Sequence, residues 1–189
     1  MKSVKDKQVL VAADIAGLPL KDAVITHLKS KGWEVTDIGI KSEDDPNKEM
    51  FQRLGLRVGA KISEGEFEKA LLFCGSGMGI HIAASKCPRV HSAVVESVNA
   101  AKRCVVANGC NVLSMGAYYV APRMGIDIAD AFLESNLGDG YENWEGFYDF
   151  HKFAHDELDV FDYVEFKKNG FEFKTPANIF IARSATKAR

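Results

Sequence analysis

Between Leu71 and Lys86 the chain reads LLFCGSGMGIHIAASK, an apolar run that stops at a cysteine and passes through three alternate glycines into an Ala-rich stretch. Cys74 offers a thiol, which acts as base or nucleophile once ionised, and a thiol near a helix N-terminus titrates below its ordinary value of about 8.5. Gly75, Gly77 and Gly79 permit positive φ and let the backbone pass close to a ligand, where a side chain would block it. The amides of such a loop, with the first turn of the helix after it, form a concave set of donors at the positive end of a helix dipole. An anion or a developing oxyanion suits that position. A plainer alternative stands beside it: a tight strand-to-helix turn, with Cys74 as small core filler.

The elements that must carry this loop follow from hydrophobic spacing. Ala70-Leu71-Leu72-Phe73 is short and continuously apolar, as expected of a strand buried on both faces of a parallel sheet, so Cys74 lies at a strand's carboxyl end, where open α/β sheets bind ligands. Upstream, Gln8–Ala13 reads as a strand that delivers Asp14, a candidate ligand-binding carboxylate or equally a helix-capping one. A helix over Leu20–Lys31 opens near Pro19 and closes at Gly32. Trp33–Ile40 reads as the second strand, Lys41–Pro46 as an acidic loop, and Asn47 as the cap of a helix to about Ser63. Downstream, a short helix over Ile80–Ser85 ends before Pro88, and Ala93–Val95 reads as a fourth strand. A helix over Asn99–Val106, a turn at Asn108-Gly109, a fifth strand over Asn111–Met115 and a helix from Pro122 to about Asn136 complete the pattern. Five strands alternating with helices predict an α/β fold with one doubly wound, five-stranded parallel sheet.

Past Gly138 the composition changes: residues 139–189 form an extension rich in Phe, Tyr and Trp up to Phe180. Rings at that density bury enough apolar area to offset ordering, so the extension is expected to pack on its own or a partner subunit. Gly146–Leu158 reads as helical, Tyr163–Lys174 as a hairpin around Lys168-Asn169-Gly170, and Ser184–Arg189 as a frayed tail.

At 189 residues, 47% hydrophobic and 26% charged, the chain suits one well-buried core, and a net charge of -2 with scattered Lys and Arg argues against nucleic acid as a partner. The apolar run after the basic start is a short strand broken by Asp14, neither signal peptide nor membrane span. Four cysteines without a CxxC pair suit reduced thiols in a cytoplasmic setting.

Phe73-Cys74-Gly75-Ser76-Gly77-Met78-Gly79, then Ile82-Ala83-Ala84-Ser85-Lys86 and later Asn108-x-x-Asn111-Val112-Leu113-Ser114-Met115-Gly116, resemble the type B ribose-5-phosphate and galactose-6-phosphate isomerases. The similarity runs from about Val9 to Leu137. It implies a three-layer αβα Rossmann-like sandwich and a cofactor-free aldose–ketose isomerase working through an enediolate on a sugar or sugar phosphate. By resemblance Cys74 is the base of one branch of the family; the other branch's glutamate, two residues into the next helix, is Ile80 here. Ser76 and Met78 lie in the anion-binding loop, with the Gly75, Gly77 and Gly79 amides holding the enediolate oxygen, and Asp14 and Asn108 match residues that touch substrate. Family members are dimers, or dimers of dimers, whose sites draw on both subunits, so a homodimer or homotetramer is implied.

Departures from the pattern bear on substrate. The family's Asp-His after the first strand is Asp14-Ile15, and its His-Asn before the fifth strand is Ala107-Asn108, so the phosphate-binding and ring-opening histidines are both absent. Asp45 stands for a tyrosine and Tyr118 for an arginine, and the arginines expected early in the C-terminal segment do not occur. His81, His151 and His155 are candidate substitutes, or simply surface or packing residues. The pair His151 and His155 could also hold a metal, for which no third ligand stands out in the sequence. The predicted substrate is therefore unphosphorylated or short and open-chain, or a phosphate held by His151, Lys152 or His155. A noncatalytic sugar-binding or partner-stabilising relative is the alternative. A nucleotide-binding protein ranks behind both, because the loop lacks GxGxxG spacing after the first strand and any P-loop Lys-Ser/Thr.

Overall fold

Strand β1 (Gln8–Ala13) divides its side chains between two apolar layers: Val9, Val11 and Ala13 join one cluster, Leu10 and Ala12 the other. This is the two-residue period of a strand covered on both sides. In the computed structural model, which describes residues 1–173, β1 pairs in parallel with β2 (Glu34–Asp37) and β3 (Ala70–Cys74). Strand β5 (Val112–Gly116) lies between β3 and the edge strand β4 (Ser92–Val94), giving the order β2-β1-β3-β5-β4. Helices α1 (Leu18–Ser30), α4 (Val98–Asn108) and α5 (Pro122–Glu134) cover the face of Val9 and Phe73, while α2 (Phe51–Ser63) and α3 (Met78–Ala84) cover the face of Leu10 and Cys74. Each fully buried Leu or Phe of these layers contributes about 1.5–3 kcal/mol against the ordering cost. The predicted αβα sandwich with a five-stranded parallel sheet is the observed fold.

The direction of the connections across the sheet reverses between the parallel strands β1 and β3: β1 connects outward to β2, whereas β3 connects the other way to β4. That topological switch point is where such sheets open a crevice at their carboxyl ends. It lies between Asp14 and Cys74.

Two local expectations are corrected. Helix α2 begins at Phe51 rather than at an Asn47 cap, because the Asp45 carboxylate accepts from the Lys41 and Asn47 amides, both at 2.8 Å. Residue 47 therefore belongs to the Asp45 turn, and Met50 enters the helix in extended conformation. The expected hairpin at Tyr163–Lys174 is instead a helix over Tyr163–Lys168, which we number α7 after α6 (Phe147–Asp159). Asp162 caps it by accepting from the Glu165 amide at 2.9 Å, the Asp-x-x-Glu arrangement of a helix start, and Gly170 at φ 71° follows its end. A good N-cap has overridden a loose alternation. Part of the hairpin segment and the expected tail at Ser184–Arg189 lie outside the described residues.

The start of the extension packs on the domain, with Tyr141 and Phe147 against Val106 and Ala107 of α4. The rings of Tyr141 and Phe147 stack at 4.0 Å and the Arg103 guanidinium lies 5.4 Å from the Tyr141 centroid. Farther along, Phe161, Phe171 and Phe173 gather around Phe166 and remain largely exposed.

Candidate active site

Phe73 pairs in register with Ala13, so Asp14 and Cys74 leave adjacent strands at the same level. By the strand period both follow the face of Ala12 and Leu72, toward α2 and α3. The thiol is almost fully buried, and its Sγ accepts a hydrogen bond from the Gly77 N–H at 3.1 Å. Gly77 adopts φ 76°, the left-handed region, and a Cβ there would meet the Met115 carbonyl carbon at 2.9 Å. The loop thus needs glycine twice over, for conformation and for closeness to β5. Ser76 Oγ accepts from the Met78 amide at 3.3 Å, tying the loop to the first turn of α3. Cys74, Gly75, Ser76, Gly77, Met78 and Gly79 form one connected turn.

Two aromatic residues frame this turn. A Cβ on Gly75 would lie 2.4 Å from the Tyr118 ring, and one on Gly79 would lie 2.5 Å from the Phe51 ring, so each ring is laid on bare backbone. The Tyr118 amide also donates to the Gly75 carbonyl at 2.9 Å. A cavity of about 320 Å³ lies between the end of β1 and the start of α2, lined by Asp14, Ile15, Ile40, Lys48, Glu49 and Phe51 among others, and Phe51 also touches the turn at Gly79. Burial holds the Asp14 carboxyl above the usual carboxylate range, while the Gly17 and Ala16 amides pull it back. Asp14 Oδ1 accepts from the Gly17 N–H at 3.0 Å in the turn before α1, whose N-cap is Gly17, and the carboxylate also lines the cavity.

Sequence reasoning missed Lys21. This side chain, 1% exposed, donates to Asp37 Oδ2 at 2.9 Å and to the Ile40 carbonyl at 2.5 Å, fixing the segment after β2 that forms one wall of the cavity. The only cue in the sequence is a lysine inside the apolar stripe of α1.

Other sequence-predicted residues lie elsewhere. Asn108 ends α4, four residues before β5 starts, whereas Cys74 aligns with the last residue of β5, Gly116. At about 3.3 Å per residue, the four steps of β5 alone separate the two levels by about 13 Å. Asn108 therefore stands at the opposite pole of the same subunit. His151, Lys152 and His155 share that pole: His155 lies over Gly109, and Lys152 and His155 line a cavity of about 540 Å³ at the amino ends of the strands. None of the three lines the Asp14 cavity of its own chain. His81 is taken up in packing: its Nδ1 meets Ser92 Oγ at 2.8 Å, and burial lowers its pKa. Although the amino-end cavity is the larger, the convergence of thiol, glycine turn and half-buried carboxylate marks the carboxyl end as the candidate centre.

A family model described as Ribose/Galactose Isomerase matches residues 9–145. A 4-deoxy-4-sulfo-D-erythrose isomerase from a Clostridium species is 38% identical over 137 residues, covering 72% of this chain and 85% of that protein. A D-erythrulose-4-phosphate isomerase of Mycolicibacterium smegmatis is 29% identical over 133 residues, covering 69% of this chain and 84% of that one. The crystal structure of ribose-5-phosphate isomerase B from Mycoplasma genitalium with bound ribulose-5-phosphate matches with a TM-score of 0.67 at 26% identity, covering 80% of this chain and 93% of its own. Since these matches run through β1, the glycine turn and β5 alike, the chain belongs to the ribose/galactose isomerase family.

Proposed function

We propose that this chain interconverts an aldose and a ketose through an enediolate, on a four-carbon, open-chain substrate with a phosphate or sulfonate at its far end. Cys74, as thiolate, removes the proton from C2; the electron pair moves to the carbonyl oxygen on C1, giving an oxyanion held by the Gly75–Gly79 turn. Return of the proton to C1, with the C2 hydroxyl proton passing to the C1 oxygen and leaving a carbonyl at C2, completes an isomerisation that needs no redox partner. The observation that carries this reading is the Gly77 N–H bonded to Cys74 Sγ, one strand away from Asp14. Such a bond fixes the sulfur beside the amides of the turn.

The substrate class rests on what stands at two positions. Ala107 and Ile15 can neither donate a proton for ring opening nor carry charge. A four-carbon aldose whose O4 is phosphorylated, or whose C4 bears sulfonate in place of oxygen, cannot close a furanose ring and needs no ring-opening group. The names of the clostridial and mycobacterial relatives describe substrates of this kind. Lys48 supplies a cation in the Asp14 cavity for the anionic end, and the Tyr118 phenol, laid over Gly75, supplies a hydrogen-bond donor.

In this reading residues 1–138 are the catalytic domain and 139–189 an extension, and the enzyme is at least a homodimer, since Asn108 can reach a Cys74 site only from a second copy. Exposed Ile15, Met78, Ile82, Tyr118 and Tyr119 around the carboxyl end give that copy an apolar surface to cover. Light scattering should give at least twice the 20.8 kDa chain mass at micromolar concentration.

Side-by-side kinetics test the substrate. D-erythrose 4-phosphate or 4-deoxy-4-sulfo-D-erythrose should exceed ribose 5-phosphate in kcat/KM by about a hundredfold, since several charge-assisted contacts of about 1.5–3 kcal/mol each are missing for the latter. Ribose 5-phosphate turned over at about 10⁴ M⁻¹s⁻¹ or more would overturn the substrate class.

A further inference from the structure

At the amino end of the sheet, remote from Cys74, one face of α6 meets the segment before β4. His155 and Asp159, four residues apart, share that face, and His91 approaches from the domain. His91 Nε2 lies 2.6 Å from Asp159 Oδ1 and His155 Nδ1 lies 3.6 Å from Asp159 Oδ2, with the two imidazoles stacked at 4.2 Å. One ligand atom from each of the three falls within 4.8 Å of the other two. We propose that His91, His155 and Asp159 bind one divalent transition-metal ion of the Zn²⁺ class, which clamps the C-terminal extension to the isomerase domain.

The donor set fits such an ion. Two imidazoles and one carboxylate are borderline ligands that suit Zn²⁺ and its neighbours and are a poor set for Ca²⁺ or Mg²⁺, which prefer all-oxygen shells. Ligand atoms around a tetrahedral zinc stand roughly 3.4 Å apart, given metal–ligand distances of about 2.0–2.2 Å. His91 and His155 stand 2.6 and 3.6 Å from the two oxygens of Asp159, and one ligand atom of each residue lies within 4.8 Å of the others, so side-chain rotations bring all three to one ion. Three protein ligands leave a fourth position for water.

His91 is also held as a ligand needs to be. Its amide donates to Asn111 Oδ1 at 2.9 Å, its carbonyl accepts from the Asn111 and Val112 amides at 3.0 and 3.2 Å, and Asn111 Nδ2 donates to the Arg89 carbonyl at 2.8 Å. On the other side Gly109 leaves room for the His155 ring, which a Cβ would meet at 2.5 Å. Along α6 only Phe147, at its first turn, is buried. A clamp around Asp159 would therefore hold the far end of a helix whose buried anchor lies at its start. The sequence pairs His151 with His155; the structure turns His151 toward the Phe147 and Phe150 rings and puts Asp159 and His91 in its place.

The full chain, stripped of metal by dialysis against a chelator, is titrated with Co²⁺ and then competed with Zn²⁺. Expected are one ion per chain, a tetrahedral d–d spectrum without a thiolate charge-transfer band, and affinity weakened at least about tenfold in Asp159→Asn and His155→Ala while His151→Ala binds as wild type. Zn²⁺ should also slow proteolysis within residues 147–161 in wild type and not in Asp159→Asn. Circular dichroism establishes that each variant is folded before its binding is measured. Absence of saturable binding, a thiolate band, or undiminished binding by folded Asp159→Asn and His155→Ala would overturn the proposal.

Discussion

The Gly77 N–H points at the sulfur of Cys74 across 3.1 Å, and both belong to a turn that glycine alone can form. A donor fixed on the sulfur holds it in place at no cost in reorganisation when the proton moves. Cys74→Ala is accordingly expected to lower kcat by about 10²–10⁴-fold, the usual range for a lost general base, with an unchanged circular dichroism spectrum. A variant that keeps most of its kcat would remove Cys74 from the reaction.

Gly77→Ala tests the turn rather than the thiol. The added Cβ meets β5 backbone at 2.9–3.0 Å while φ stays at 76°, so both strain and clash follow. A loss of about 1–3 kcal/mol in urea unfolding is expected, with kcat falling more than KM rises because the displaced amide is the one bonded to Cys74 Sγ.

Asp14 should show stability and activity in opposition. Its carboxyl is held above the usual range chiefly by burial, so in the pH window between its unfolded and folded pKa values the native state binds more protons than the unfolded chain, and stability falls as pH rises through that window. At pH 7 the buried charge is thus a net cost. Asp14→Asn retains an oxygen for the Gly17 amide and should raise Tm slightly while lowering kcat/KM at least about tenfold. Thermal melts at pH 7 and initial rates on the four-carbon substrate check both signs.

A further pH effect lies at the other pole. Lys69, buried, donates to the carbonyls of Phe132 and Ser135 at 2.9 and 2.7 Å, closing the C-terminus of α5, and burial pushes its pKa down to about 8. Between about pH 8 and 10.5 the unfolded chain keeps a proton that the native one has lost, so this lysine adds stability as pH rises, by roughly 3 kcal/mol at 1.36 kcal/mol per unit. Cys110, whose thiol is pushed up through its bond with Cys104 and burial, acts in the opposite sense. Lys69→Met isolates the lysine: wild-type stability relative to the variant should increase between pH 7.5 and 10 in urea titrations.

Much of this molecule was written locally. Continuous apolar runs along β1 and β3, Pro19 and Pro122 in the first turns of their helices, and the glycines after Cys74 are short-range signals, and these elements formed because hydrophobic pattern and backbone preference agreed there. The sequence also named the chemical turn, since only glycine satisfies φ 76° against a neighbouring strand. Local signals in competition misled: Asp162 capped a helix where alternation suggested a hairpin, and the Asp45 turn displaced the Asn47 cap. What only the tertiary structure decided was which distant residues share a pole. Asp14 meets Cys74 because β1 and β3 pair in register, Asn108 is carried away because α4 runs antiparallel to the strand it feeds, and His91 meets His155 and Asp159 because α6 folds back along α4. Sequence separation carries no information about such proximity; strand pairing and helix direction create it.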